Sequence, residues 1–522
     1  MAAKLKKKYR DKFAGGVNSY LGVRQIKDDE SPDMVNCDFK GEGGIGNRDG
    51  YTEIGTPATY TSGVYGTTSL HTSAKHQLIK FASNGSNIVL AHSTDGGAWT
   101  NVTGTTFTDS LNIDSVQAKS NIYVSNGTDV MREWDGSAWS DTTNGTKGFY
   151  TTYYNHRLWV VDETNPSYLN FSGQWGAAGI GDGGTETDKL GDFSDATAGF
   201  IAFKFGSGAE ITGLRVFRNA LYVFLRDSIY SVVPASAANT FTITQVTNAV
   251  GCVSHRSIDQ VQEDLYFASD SGVFSLGEVA NYALSIRSTE KSGKIQQVFT
   301  NLTSANKGKL VGKYFNFKYH LFYSLFGTNN DSVVAYDTRY GGWVDWRNIS
   351  ANDAVKYTDS TNAEFLHFGH PTNSEVHKMY KGTTDDGTAI SSYFTTKSFD
   401  EKLPDILKVY FDHTFVFGAI TGSVTITVIF DDSLTASTAT LTQTSPQGGF
   451  GRDAFGVKAF GDASNTVTVT SFIGAPQRMT VSDQKFAVQY KIASSGSWRL
   501  DDITTTYKPL NHYAFPSGNK LN

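Results

Sequence analysis

The chain is predicted to be all-β: a β-propeller of six to eight blades, then a C-terminal β-sandwich, with very little helix. Three observations predict it: an internal repeat of about 40 residues, the turn residues inside that repeat, and a run of long alternating strands after residue 395. The repeat is clearest where FASNGSNIVLAHSTDGGAW (81–99) lines up with YVSNGTDVMREWDGSAW (123–139), which sets Asp95 and Asp135, and likewise Trp99 and Trp139, 40 positions apart. A period of ~40–45 residues made of short strands suits a propeller blade, a small four-stranded sheet. Asn-Gly accepts positive φ and joins two strands tightly, and Asp-Gly marks a second turn about ten residues on. The tryptophan that follows is placed to cover the seam between neighbouring sheets, so Trp99, Trp139 and Trp343 are expected at blade seams.

An aliphatic-aromatic or aliphatic pair marks the strand before each turn: Leu78-Ile79, Ile122-Tyr123, Leu158-Trp159, Leu221-Tyr222, Leu265-Tyr266, Leu321-Phe322 and Phe365-Leu366. That tally is seven. The two longest intervals have visible causes. One contains the Gly- and Asp-rich stretch 173–192, which reads as a surface loop. In the other, Ile295, Val298, Phe299 and Leu302 recur at helical spacing, which predicts a short amphipathic helix. Before the repeats, ESPDMVNCDF reads as a Ser-capped helical turn with Pro32 at its first position. After them, 407–417, 423–431, 465–473 and 485–493 alternate apolar and polar residues, as half-buried strands do. The predicted organisation is a basic arm (1–12), a docking segment (13–60), the propeller (61–394) and the sandwich (395–522).

Composition excludes several classes. Charged residues are 18% of the chain and aromatics 13%, which argues against disorder; the 52 glycines carry no collagen period. Cys37 and Cys252, 215 positions apart, read as ordinary buried thiols. The charged start is followed by no apolar stretch of signal-peptide length, and no apolar run reaches the ~20 residues of a membrane helix. Synthesis in the cytosol and no membrane span are the expectation. The net charge of −6 is unevenly spread: Lys4, Lys6, Lys7, Lys8, Arg10 and Lys12 against Asp11 give +5 at the start, leaving −11 for the remaining 510 residues. The basic arm is a candidate for docking on an acidic partner or for DNA contact, although a solvated terminus would have the same composition. No later stripe of Lys and Arg suits tight grip on a duplex.

No catalytic, cofactor or metal site is predicted. Ser93, Asp95, Gly97 and Trp99 resemble the Asp-box turn of sialidase-like propellers, which caps a hairpin and performs no chemistry. Gly251-Cys252-Val253-Ser254-His255 sets a thiol, a hydroxyl and an imidazole close together, but neighbours along a strand face opposite ways. His367, His370 and His377 straddle a turn containing Pro371 and do not share one face. Asp182, Glu186 and Asp188 lack the alternation of a calcium loop. Glu133 beside Trp134 and Asp345 beside Trp346 are possible glycosidase carboxylates only if the fold brings such a pair together.

One stretch carries a family resemblance. Within residues 13–51 stand Gly15-Gly16-Val17-Asn18, then Ile26, Asp28, Asp29, Glu30, Ser31, Asp33 and Asn36, then Gly46, Arg48, Gly50 and Tyr51. This resembles the opening of bacteriophage virion proteins that continue as β-propellers, the tail nozzle or tubular tail ring proteins of short-tailed phages. The stretches 155–163, 211–232, 251–258, 265–276 and 501–507 are similar to the same group. The resemblance implies a non-enzymatic virion protein, assembled in the host cytoplasm. It implies six copies around the channel through which double-stranded DNA leaves, docked on adaptor or portal-proximal tail proteins and open to host-surface contact. An acidic channel wall would let DNA slide, because like charge prevents tight phosphate contact. Two other readings stay open: a receptor- or glycan-binding tail-tip propeller, and a sialidase-like glycosidase.

Overall fold

The computed structural model describes residues 4–41, 43–55, 60, 62–142, 144–175, 190–203, 210–236, 239–278, 286–431, 436–442, 467–470 and 477–510. Seven sheets follow one another along the middle of the chain. Their first strands are Val64–His71, Asp114–Ala118, Gly148–Tyr154, Ile211–Phe217, Asp259–Val261, Val311–Phe315 and Asp353–Thr358. In five of them, neighbours in the sheet are neighbours in sequence, and the first adds only Phe107–Thr108, paired with Asn87–Thr94. The seventh takes Asp353–Thr358, Glu364–Gly369 and Val376–Met379 in that order and then Tyr51–Glu53 from far upstream, paired antiparallel with Val376–Met379. The first strands touch in cyclic order, the fourth and fifth through the turn His255–Ser257, and the seventh returns to the first. A closed ring of seven blades results: the chain is an all-β propeller, and its last blade is completed by a strand that precedes the first.

The seven sequence pairs all fall in the second strand of their sheets, for example His76–Ser83, Asn121–Ser125 and Lys318–Tyr323. These second strands are buried almost throughout, because each face of a blade packs on a neighbouring blade. Core clusters therefore span consecutive blades. Leu70, Ile79, Phe81 and Leu90 of the first pack with Ile122, Val124 and Trp134 of the second. Burying one such side chain stabilises by about 1.5–3 kcal/mol. The helix expected around residue 298 is present as a 3-10 turn, Gly293–Ile295, continuing into Gln296–Asn301, with Ile295, Phe299 and Leu302 buried.

The chain divides into two compact units, 51–335 with 347–382, and 1–50 with 336–346 and 383–522. The second of these contains two six-stranded sheets. One runs Gln477–Lys485, Lys408–Ile420, Trp498–Pro509, Gly44–Asn47, Cys37–Lys40, with Lys6–Arg10 also paired on Trp498–Pro509. The other runs Asp33–Val35, Ser392–Thr395, Val488–Ser494, Ser423–Phe430, Ala436–Thr442, Val467–Thr470. Along Ser423–Phe430, Val424, Ile426, Val428 and Phe430 point inward in strict alternation. Tyr410 and His413 of the first sheet lie 5.4–6.1 Å, ring to ring, from Phe430 and Tyr490 of the second, so the sheets pack face to face as a sandwich.

Two expectations are corrected here. ESPDMVNCDF forms no helical turn; it makes the strands Glu30–Ser31, Asp33–Val35 and Cys37–Lys40. Ser31 Oγ does accept the Asp33 amide at 3.2 Å, as a cap would, but it also donates to Thr395 O at 2.6 Å, and Asn36 turns the chain at φ 54°. Pairing with distant strands overrides the local signal. The segment 13–60 is likewise no separate element: up to Asn47 it supplies strands to the sandwich unit, and Tyr51–Glu53 closes the propeller.

Candidate functional site

The ring of first strands encloses a place where polar groups from every blade converge. Three aspartates stand there in equivalent positions, in the sequences Asp114-Ser-Val116, Asp259-Gln-Val261 and Asp353-Ala-Val355. Each accepts a backbone N–H from the first strand of the next blade: Thr151 N to Asp114 at 2.6 Å, Tyr314 N to Asp259 at 2.8 Å, and Thr67 N to Asp353 at 2.7 Å. The Asp-x-Val signal was legible in the sequence and was missed, since seam-crossing capping is a tertiary property. Burial alone would raise the carboxyls of Asp114 and Asp259. His255 and the Thr151 amide hold Asp114 below the usual range, and Arg215, Lys356 and Lys313 do the same for Asp259.

Across the axis runs Arg256. From the turn before the fifth blade it donates to Asn352 O, Tyr65 O and Ile113 O, each at 2.8 Å, so one guanidinium ties carbonyls at the starts of the seventh, first and second blades. His255 lies beside it. Leu214 N–H donates to its Nδ1 at 3.1 Å, which places the ring proton on Nε2, 3.2 Å from Asp114 Oδ1, and Tyr150 stacks on the ring at 4.6 Å. Both imidazole nitrogens are thus committed, and the ring has no free lone pair for base chemistry. Ile113, Asp114, His255 and Arg256 line two cavities, of about 270 and 230 Å3, and partition the axis between them. The larger cavity carries Arg215, Lys313 and Lys356 as well as Asp259 and Asp353. With Arg256 and Asp114, that is four cations to three carboxylates. The axis is not an acidic wall, and its cavities are far smaller than a nucleic-acid duplex.

The basic start of the chain is a strand. Lys6–Arg10 pairs antiparallel with Trp498–Pro509, Lys6 opposite Tyr507 and Arg10 opposite Ile503. Lys4, Lys6, Lys7, Lys8 and Lys12 are exposed. Arg10 is not: it forms a buried ion pair with Glu401, donates to Thr505 Oγ1 at 2.9 Å and lies 3.8 Å above the ring of Phe399. It anchors the strand, and the surface charge belongs to the lysines. Lysine is also what edge strands carry to discourage edge-to-edge pairing.

Trp99 and Trp139 sit at seams. Trp99 packs on a cluster that joins Val64 and Leu78 of the first blade to Tyr357 and Val376 of the seventh, and its Nε1 donates to Ile54 O at 2.9 Å. Trp139 of the second blade lies 5.7 Å from Phe107 and 6.1 Å from Phe81 of the first. Trp343 has different surroundings: it is buried beside Tyr336, and its backbone lies so close to Gly16 that a Cβ there would stand 2.5 Å from Trp343 N. At φ 78° Gly16 is doubly restricted to glycine.

The other candidate groups separate. Asp95 does not cap its own hairpin; it accepts Ser360 N and Oγ, both at 2.8 Å, from the seventh blade. Asp135, its repeat partner, does cap its own turn, through Ser137 N and Ala138 N. Cys252 Sγ faces Ser254 O at 3.1 Å, and burial pushes the thiol up to about 11. Ser254 Oγ donates to Leu310 O at 2.6 Å, so thiol, hydroxyl and imidazole face separate partners. That segment leads into a 3-10 turn rather than ending a strand. His367 and His377 are buried on adjacent strands, His367 against Tyr357 and His377 stacked on Phe368. Among the described residues no group of three or more His, Cys, Asp or Glu is arranged to hold a metal, and no helix is long and apolar enough to cross a membrane. Glu133 and Asp345 lie on strands of different units. Asp182, Glu186 and Asp188 lie outside the described residues.

The ring topology defines the class, a seven-bladed propeller joined to a β-sandwich unit. No family model matches the chain, and no curated protein matches it. Among solved structures it is similar to YCF48 bound to D1 peptide (10% identity, 66% of this chain and 98% of that one, TM-score 0.36). It is also similar to the C-terminal WD40 domain of Sif2 (11%, 72% and 98%, 0.35) and the N-terminal domain of Nup159 (11%, 63% and 99%, 0.35). At such identities and scores the likenesses are too distant to carry an argument, and the fold rests on the strand order.

Proposed function

We propose that this chain is a structural component of a bacteriophage tail, a nozzle or ring protein that assembles in about six copies around the DNA path, retains the packaged genome and opens for ejection. The observation that carries this reading is the motif at 13–51. Four of its residues form buried polar pairs: Asn18 Nδ2 donates to Glu30 Oε2 at 2.8 Å and Arg48 Nε to Asn36 Oδ1 at 3.0 Å, and Arg48 also holds Asp385 through two bonds of 2.6 and 2.8 Å. A chain that resembles the phage proteins at these positions does so at residues its own fold depends on, which favours shared architecture over chance likeness.

The partitioned axis adds a constraint. DNA would pass between copies, along a channel made by the ring, and the exposed lysines of Lys6–Arg10 would meet an acidic neighbour, either an adaptor protein or the acidic body of the next copy. A non-enzymatic role fits His255, Cys252 and Ser254, whose reactive atoms are all engaged within the fold. Negative-stain images of the purified protein and of virions provide the test. Rings of about six copies and presence in purified virions are expected; a protein that stays monomeric at every concentration and is missing from virions overturns the reading.

A further inference from the structure

We propose that the larger axial cavity is a binding site for a small oxyanion, held by Lys313 with Arg215 and Lys356 beside it. This goes beyond the tail reading and does not depend on it. The argument is one of pairing. Asp259 receives Arg215 at 2.7 Å, Lys356 at 3.5 Å and the Tyr314 amide. Asp353 receives the Thr67 amide and hydroxyl at 2.7 and 3.1 Å, and Asp114 receives the Thr151 amide and His255. Arg256 is saturated by three carbonyls. Of the four cations at the axis, Lys313 alone has a charged side-chain group with no hydrogen bond or ion pair within 4 Å among the described residues; its backbone carbonyl accepts from His320 Nδ1 at 3.1 Å. Lys313 faces a cavity of about 270 Å3, just under the size of common small-ligand pockets.

An ammonium held partly away from bulk water, with carboxylates near it but none in contact, favours either loss of its proton or uptake of an anion. Burial does push the Lys313 amine below its usual range, against the pull of Asp259 and Asp353. The surroundings favour the anion. Arg215 and Lys356 are partly open to the cavity, each shared with a single carboxylate, and hydroxyl-bearing Thr68 and Thr152 also line it. An oxyanion presents several separated acceptor oxygens, so it can span Lys313 and a neighbouring cation that stand further apart than one halide ion bridges well.

Inorganic phosphate is the probe, titrated into the full chain by calorimetry and by thermal melting at constant ionic strength, with chloride as the comparison. Phosphate is expected to bind and raise the melting temperature, chloride to do neither. Lys313→Met should weaken phosphate at least tenfold while melting no lower than wild type in its absence, and Lys313→Arg should restore binding. Lys313→Gln serves in place of the methionine variant should that one fail to fold. The proposal is overturned by a wild-type chain indifferent to 20 mM phosphate (a concentration on the order of that needed for a weak, millimolar site), by equal response to chloride, or by unchanged affinity in the neutral variants. None of these results bears on ring formation, so the two readings fail separately.

Discussion

At the scale of single residues, Arg256 has the largest reach. It bonds three carbonyls from three blades with one side chain, and an alanine would remove all three of these inter-blade bonds at once. Arg256→Ala is expected to cost about 2–4 kcal/mol, read as a lowered denaturation midpoint; a loss below about 0.5 kcal/mol would contradict the axial-tie account. A pH effect follows from the buried histidines. Burial lowers His367 and His413 to about 3, so both stay neutral in the folded chain while the unfolded chain takes up protons below about 6.5. The unfolded state then binds more protons between those values, and stability falls as pH drops through that window. Each histidine contributes up to about 1.4 kcal/mol per pH unit. Urea unfolding at pH 7, 6 and 5 should show the decline, and His367→Gln should reduce its slope by about half, His413 supplying the rest.

At the scale of elements, the closing strand of the seventh blade is the most exposed dependency. Tyr51–Glu53 is three residues long, is separated in sequence from the strands it completes, and holds its place by pairing Thr52 with Lys378 and by Tyr51 packing on Phe368 and His377 at 5.0–5.2 Å. Thr52→Pro should lower stability by about 2–3 kcal/mol and raise protease sensitivity around the seventh blade before the others. The basic strand makes the opposite prediction. Lys6, Lys7 and Lys8 point to solvent, so replacing all three by Glu should leave the melting temperature within about 2 °C while weakening ring formation or tail attachment in a salt-dependent way. Loss of folding instead would mean that the lysines, and not Arg10 alone, anchor the strand. The seven second strands were readable from sequence because being buried on both faces imposes apolar residues at consecutive positions. The strands of 30–40 were not, because Ser31, Pro32 and Asn36 carry local turn and cap signals that only the partners at 392–395 and 44–47 override.

At the scale of the whole molecule, a propeller closed by an upstream strand ties the first described residues of its unit to the last, and unfolding of either end opens the ring. The propeller unit should therefore melt in one transition, with fluorescence of Trp99 and Trp139, both at seams, coinciding with loss of β-sheet circular dichroism. Separate transitions for these two signals would indicate blades that fold independently. The proposed six-copy ring belongs to this scale too, and analytical ultracentrifugation across a range of concentrations gives its stoichiometry independently of images.

The sequence by itself determined the class and narrowed the count to six to eight, with seven pairs tallied: repeating strand pairs, Asn-Gly and Asp-Gly turns and alternating C-terminal strands are local patterns, and local patterns report secondary structure and its repetition. It also marked Trp99 and Trp139 as seam residues through their 40-residue spacing. Only the tertiary structure decided that Tyr51–Glu53 closes the seventh blade, that residues 6–47 belong to the sandwich unit, that Asp95 caps a neighbour's loop while Asp135 caps its own, and that Arg256 and Lys313 meet at the axis. Each of these depends on which distant backbone a group faces. That is set by closure of the ring and by sheet pairing across hundreds of residues, and no local spacing in the chain records it.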